Sequence, residues 1–217
     1  MSSPVNPRRR YDSTRRREQA RVTRLVVVEA ARRLFLERGF AATTVPAVAA
    51  EAAVSVQTVY KVFGTKARLA KAVFDVSMAG DDVPETMLER PALASVRDEP
   101  DPRVMFRRYG EFLADVAPRP VPVQLVIRDA AGSDPDARSV WDELQAERLR
   151  GMSMFARALH DRGHLRPGIS TTEARDVLWT YNSAELFELL VVQLGWSPKR
   201  YGRWIADALT AALLEHA

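Results

Sequence analysis

Residues 43–63 read TTVPAVAAEAAVSVQTVYKVF, and two short helices are written into that stretch. Thr43 or Thr44 caps the first helix, and Pro46 suits its first turn, where an amide hydrogen has no helical partner. Val48, Ala49 and Ala52 form its buried side. After Ala53 and Val54, Ser55 caps a second helix whose inward residues read as Val59, Val62 and Phe63. Its other side is polar, with Gln57, Thr58, Tyr60 and Lys61. A helix, a tight turn and a second helix with a polar outward face are the parts of a helix-turn-helix, in which the second helix enters the major groove. Glutamine pairs with adenine edges, threonine donates to phosphate or touches a thymine methyl, and lysine reaches guanine or phosphate. Tyr60 suits donation to phosphate. Each of these residues taken singly is also an ordinary solvent-facing residue; their grouping is what points to DNA.

Working outward, Val27, Val28, Ala31, Leu34 and Phe35 recur at helical spacing from Thr23 onward, and Gly39 is placed to stop that helix in a left-handed conformation. A further helix starts at Lys66 and presents Leu69, Ala70, Val73 and Phe74 inward. Lys66 stands in its first turn, where the ammonium and the free amides beside Thr65 are placed to hold a phosphate oxygen. Ahead of all this, Met1 to Arg17 carries two arginine triplets, Arg8 to Arg10 and Arg15 to Arg17, among Pro, Ser and Asn, and reads as disordered. It is either an arm for a minor groove or phosphates, or a solubilising tail. Residues 1–75 hold 15 Lys and Arg against 6 Asp and Glu, whereas residues 76–217 hold 17 against 22. A basic end on an acidic body fits a nucleic-acid module joined to something else.

The rest of the chain shows helical periodicity and no convincing strand or internal repeat. Asp81 to Pro102, rich in Pro, Asp and Glu, reads as an irregular connection with one weak helical segment at Met87 to Val96. Helices follow at Arg103 to Ala117 and Val123 to Ala131, separated by Pro118, Pro120 and Pro122. Another is opened by Asp134 and Pro135 and stopped at Gly163. Ser170 and Glu173 have capping-box spacing for a helix running to Leu194, which is apolar on more than one side, and Ser197 and Pro198 open the last one. The expected fold is all-α. Its parts are a disordered basic arm over 1–21, a three-helix helix-turn-helix domain over 22–76 and a helical bundle over 77–217.

Composition narrows function. The chain of 217 residues contains no cysteine, which removes disulfides, thiolate metal sites and thiol nucleophiles together and fits a reducing cytoplasm. No apolar run reaches the roughly 18 residues that cross a bilayer, so no membrane association is expected. His160 and His164 stand four apart, but Gly163 interrupts the helix between them and no third ligand has suitable spacing. There is no serine elbow and no glycine-rich phosphate loop. The expectation is no enzyme, no metal and no cofactor.

From about Val27 to Leu69 the sequence resembles the tetracycline-repressor family of bacterial regulators. The resemblance rests on Ala30, Ala31, Phe35, Gly39, Thr43, Thr44, Val48, Ala49, Val54, Ser55, Thr58, Tyr60, Phe63, Lys66 and Leu69, in family order and spacing. Position by position, it implies that Thr44, Ser55, Gln57, Thr58, Tyr60, Lys61 and Lys66 contact DNA. It further implies a homodimer with one recognition helix per subunit, paired through the last two helices near Thr171 to Leu194 and Ser197 to Leu214. It also implies an all-helical ligand domain whose occupation releases a palindromic double-stranded operator, as in a repressor. Three positions depart from the family pattern. Ala53 replaces a turn glycine, so a left-handed residue there is avoided or strained by about 1 kcal/mol. Pro46 stands where a basic residue is usual, and Ala67 stands where an acid is usual.

A ligand pocket is expected among the central helices, lined mostly by apolar and aromatic groups. Candidates are Met105, Tyr109, Phe112, Trp141, Met152, Phe155, Trp179, Tyr181 and Asn182, each of which also reads as plain core. They favour a small apolar or aromatic effector. Trp204 reads as core, and Trp196 as either core or dimer interface. The competing functional reading is a nucleoid-type structural DNA-binding protein without an effector.

Overall fold

The computed structural model describes residues 7–80 and 91–215, with side chains from Glu18 in the first stretch and from Leu93 in the second. The chain divides between Val73 and Phe74 into two compact units. The described residues are all-α, as the sequence predicts.

In the first unit, α1 (Pro7–Ala42) is kinked at Gly39, whose φ of 74° and ψ of 174° end the straight helix where that glycine was read as its stop. The helix begins far earlier than the periodicity indicates. Residues 7–21, expected as a structureless arm, form its first turns; Arg, Glu, Gln and Ala there are strong helix formers, and no Gly or Pro interrupts them after Pro7. Residues 1–6 lie outside the described ones. Val27, Val28, Ala31, Leu34 and Phe35 are all buried, and Phe35 stacks on Phe40 with centroids 5.8 Å apart.

Helix α2 (Val45–Glu51) is capped by Thr44, whose hydroxyl accepts from the Ala47 amide at 3.2 Å. The neighbouring Thr43 has the other task. Fully buried, it shares its one hydroxyl hydrogen between the carbonyls of Gly39 at 2.8 Å and Leu34 at 3.0 Å, tying the end of α1 to the start of α2. Helix α3 (Val56–Phe63) is capped by Ser55, and α4 (Lys66–Ala79) follows after Gly64 and Thr65. Val59 and Phe63 alone anchor the buried side of α3. Val62, expected inward, is 41% exposed, because three residues beyond Val59 lies at the margin of so short a buried stripe.

Between α2 and α3 the backbone takes the conformation that the missing glycine would have made easy. Ala53 has φ of 52°, the one positive φ on a residue other than glycine among those described. A methyl group in this region costs about 1 kcal/mol relative to glycine. Ala53→Gly is therefore expected to stabilise the turn, raising hydrogen-exchange protection of the α2 and α3 amides about fivefold. Unchanged protection would show that the turn carries no strain.

The second unit contains α5 (Pro91–Arg97), α6 (Pro102–Val116), α7 (Pro120–Ala130), α8 (Pro135–Asp161), α9 (Thr171–Tyr181), α10 (Ala184–Phe187) and α11 (Pro198–Leu213), with a π-helical turn over Glu188–Gln193. Within the segment expected from Met87 to Val96, residues 87–90 lie outside the described ones and the remainder is in α5. Helix α7 starts three residues before Val123, because Pro120 and Pro122 occupy its first turn, where no amide is missed. The single helix expected up to Leu194 is broken. Asn182 ends α9 and Ser183 caps α10 by accepting from the Leu186 amide, two residue types that favour caps over helix interiors. Helices α6 and α11 meet backbone to backbone at Gly110 and Gly202. Met105, Phe106, Leu178, Phe187, Ile205 and Leu209 lie in the core around that crossing, and Trp204 packs against it while meeting Tyr181 and Trp196 edge-on.

Candidate nucleic-acid interface and C-terminal cavity

Helix α3 exposes Gln57, Tyr60 and Lys61, which share one face by their spacing of three and four residues, and Tyr60 is 51% exposed. Thr44 and Ser55 are exposed at the N-caps of α2 and α3. The Ser55 hydroxyl accepts from the Thr58 amide at 3.1 Å and shares a hydrogen bond with the Thr58 hydroxyl at 2.8 Å, so the two side chains hold each other. Thr58 is half-buried.

Lys66 does not stand ready beside Thr65. Its ammonium donates to the Phe40 carbonyl at 2.9 Å and lies 4.1 Å from the centroid of the Phe40 ring, which fastens α4 to the end of α1. The Thr65 hydroxyl accepts instead from the Arg68 amide. Pro46 is exposed in the first turn of α2. Ala67 is 3% exposed, so an acid at that position would be buried among apolar groups.

In the second unit, the nine pocket candidates do not come together in one cleft. Met105 and Tyr109 are core residues, and Phe112, Met152, Phe155 and Tyr181 pack against the core. Tyr109 is sealed in: its hydroxyl accepts from the Asn182 side-chain amide and donates towards the Met152 sulfur at 3.9 Å, and burial pushes its pKa up to about 12. Trp141 and Trp179 line a cleft of about 390 Å³, with Gln145 and Arg148 on the α8 side and Ser183 and Glu185 opposite. Trp141, Gln145 and Arg148 share one face of α8.

Gln145 and Arg148 lie outside the apolar stripe of α8 that the sequence shows, and they join the lining only where α8 meets α9. Arg148 is bound into the break between α9 and α10, where its Nη1 donates to the carbonyls of Trp179 and Asn182, the latter at 2.8 Å. Its Nη2 donates to Gln145 Oε1 at 2.7 Å, and the guanidinium lies 4.2 Å from the Trp179 ring centroid. Burial lowers its pKa from the ordinary arginine value, but the guanidinium stays cationic. Among the described residues no cluster of three metal-ligating side chains forms, and no helix is long and apolar enough to cross a membrane.

The geometry so far is that of a helix-turn-helix protein with an all-helical second unit. Residues 27–73 match the family model described as bacterial regulatory proteins of the tetR family, so this segment is similar to the N-terminal domain of those proteins. Solved structures share the fold at low identity. NalD of Pseudomonas aeruginosa, the secondary repressor of the MexAB-OprM multidrug efflux pump, is 17% identical with a TM-score of 0.68, over 90% of this chain and 98% of that one. FadR of Bacillus subtilis, a transcriptional regulator solved with stearoyl-CoA, is 17% identical with a TM-score of 0.65, over 85% and 96%. A protein of Saccharomonospora viridis solved with choline, described as a candidate transcriptional regulator, is 16% identical with a TM-score of 0.62, over 89% and 98%. No curated protein sequence shows significant similarity to the chain.

Proposed function

We propose that the chain is a DNA-binding transcriptional regulator, a homodimeric repressor released from a two-fold symmetric operator when a small ligand enters the second unit. The observation that carries this reading is the exposed row Gln57, Tyr60 and Lys61 on α3, within a basic segment similar to tetR-family N-terminal domains. These side chains offer donors and acceptors for base edges and phosphates on the helix that such a motif inserts into the major groove. Thr44 and Ser55 add exposed hydroxyls at two helix N-termini, where free amides favour phosphate. Lys66 acts in this reading as a fastener of α4. The function places the protein in the cytoplasm with the chromosome.

Dimerisation is supported by apolar side chains left exposed near the end of the helical segment expected to pair. Leu189, Val192 and Leu194 are 45%, 63% and 61% exposed in the single chain. A second copy packed through this segment and α11 would cover them. Val192→Glu is expected to convert the protein to a monomer at micromolar concentration by light scattering. A Val192→Glu protein that stays dimeric would place the interface elsewhere.

The reading is tested by titrating the full chain against genomic fragments in the presence of excess nonspecific DNA. A regulator retains a few fragments with a preference of about a thousandfold or more. Equal retention of all fragments would favour a nucleoid-type binder. Deleting residues 1–17 in the same assay reports on the arginine triplets. As an arm on DNA they make the salt dependence shallower when removed, and an unchanged slope assigns them no phosphate contact.

A further inference from the structure

The side of α1 that packs the first unit changes chemistry where the helix leaves that unit. Val27, Val28, Ala31 and Leu34 are buried on it. Three- and four-residue steps towards the N-terminus lead from Val27 to positions Arg24, Ala20, Arg17, Ser13 and Arg10. By helical register, the apolar stripe therefore continues as a line of arginines with small residues between them. Arg24 marks the changeover. It is half-buried, and its guanidinium lies 5.1 Å from the ring centroid of Phe63, the last residue of α3. The line thus starts on the side of α1 that faces the end of the proposed recognition helix.

Before Thr23 the helix stands away from the domain. Residues 18–22 are all exposed, including Ala20 at an inward register position, and turns that bury no face have little besides local propensity to hold them. Helix α1 nonetheless reaches back to Pro7, about 24 Å beyond Thr23 at 1.5 Å per residue. Its charge is concentrated there. Residues 8–24 hold eight arginines against Asp12 and Glu18. Arg17, Arg21 and Arg24 follow one another at four and three residues, a spacing at which like charges destabilise a helix, and Glu18, 3.6 Å from Arg21, offsets only part of that. A stiff, self-repelling row of cations suits a regular polyanion, which relieves the repulsion by taking the place of counterions. Double-stranded DNA is such a polyanion, and in the proposed function it lies against α3.

We propose that the N-terminal turns of α1 form a rigid basic strut that lies on the phosphates flanking the bases read by α3, extending each subunit's hold on DNA beyond the helix-turn-helix. The strut rests on the reading of the chain as a DNA-binding regulator and deepens it. Because it is continuous with a helix packed in the domain, its arginines meet the duplex at set positions; an unstructured arm of equal charge supplies attraction without position.

Continuity, separated from charge, is therefore the property to test. Ala20→Pro breaks the helix between strut and domain and keeps every arginine, and Ala20→Ser is the helical control. On the best-retained genomic fragment, Ala20→Pro is expected to bind about tenfold more weakly than the unaltered chain. The slope of its log affinity against log salt is expected to be shallower by about two, with hydroxyl-radical protection lost at phosphates beside each half-site. Ala20→Ser keeps all three properties. Should Ala20→Pro lower the melting temperature of the first unit, the double change Gln19→Gly with Ala20→Gly loosens the same point and is expected to shift all three in the same direction. A folded variant with unaltered affinity, slope and flanking protection overturns the strut, and so does an equal loss in Ala20→Ser. Retention of fragments by the unaltered chain and by Ala20→Pro alike removes the strut alone, whereas retention of none by the unaltered chain removes the regulator reading and the strut with it.

Discussion

Gly110→Ala and Gly202→Ala are each expected to destabilise the second unit by about 3 kcal/mol, a large share of the 5 to 15 kcal/mol that holds a typical domain together. A Cβ on Gly110 would overlap the carbonyl oxygen of Gly202 and lie 3.0 Å from its carbonyl carbon and 3.1 Å from the Ala206 methyl. A Cβ on Gly202 meets Gly110 in the same way and lies 3.0 Å from the Ala114 methyl. The atoms struck are helix backbone, which cannot rotate aside as a side chain would. Relief therefore requires α6 and α11 to separate, opening the packing of Phe106, Leu113, Ile205 and Leu209 in the core around them. Urea denaturation followed by the fluorescence of the four tryptophans, all in this unit, reads the effect. An unfolding midpoint unchanged in both variants would contradict the backbone contact.

The second large effect lies on α3, where affinity and specificity are expected to come apart. Gln57→Ala should weaken binding to the selected operator by about 1–3 kcal/mol, roughly tenfold to a hundredfold, and leave nonspecific DNA binding unchanged, because a lost bidentate base contact is felt at one base pair only. Lys61→Ala should instead weaken all DNA about equally and reduce the slope of log affinity against log salt by about one. Lys66→Ala is the control. With its ammonium on the Phe40 carbonyl and ring, its loss should lower the stability of the N-terminal unit more than it changes the salt slope. Equal loss on operator and random DNA for Gln57→Ala would remove it from base readout.

How far the sequence could be read differed between the two units. In the first, local chemistry decides structure: Thr44 and Ser55 cap, Gly39 kinks α1, and Val59 and Phe63 face inward. The departure at Ala53 was visible as a missing glycine, but whether the turn would bend away from the left-handed region or accept strain is a property of the packed backbone. Val62 escaped because a helix of two turns has too few residues to define its buried edge. In the second unit, the capping box at Ser170 and Glu173 was legible from spacing, whereas the break at Asn182 was not. Two carbonyls freed by that break are satisfied by Arg148, from a helix about thirty residues earlier, and no local pattern announces such a partner. The cleft followed the same rule. Trp141 and Trp179 are legible as aromatics at helical spacing, while Gln145 and Arg148 join them in lining the cleft only once α8 and α9 pack together.

The central claim is that the exposed face of α3 reads a specific, two-fold symmetric DNA site. Nuclease footprinting of the full chain on its best-retained genomic fragment tests it most directly. The account predicts a short protected region with two inverted half-sites about one helical turn or a multiple apart, lost on Gln57→Ala. Protection spreading continuously along the fragment, or a specific footprint unchanged by Gln57→Ala, would contradict it.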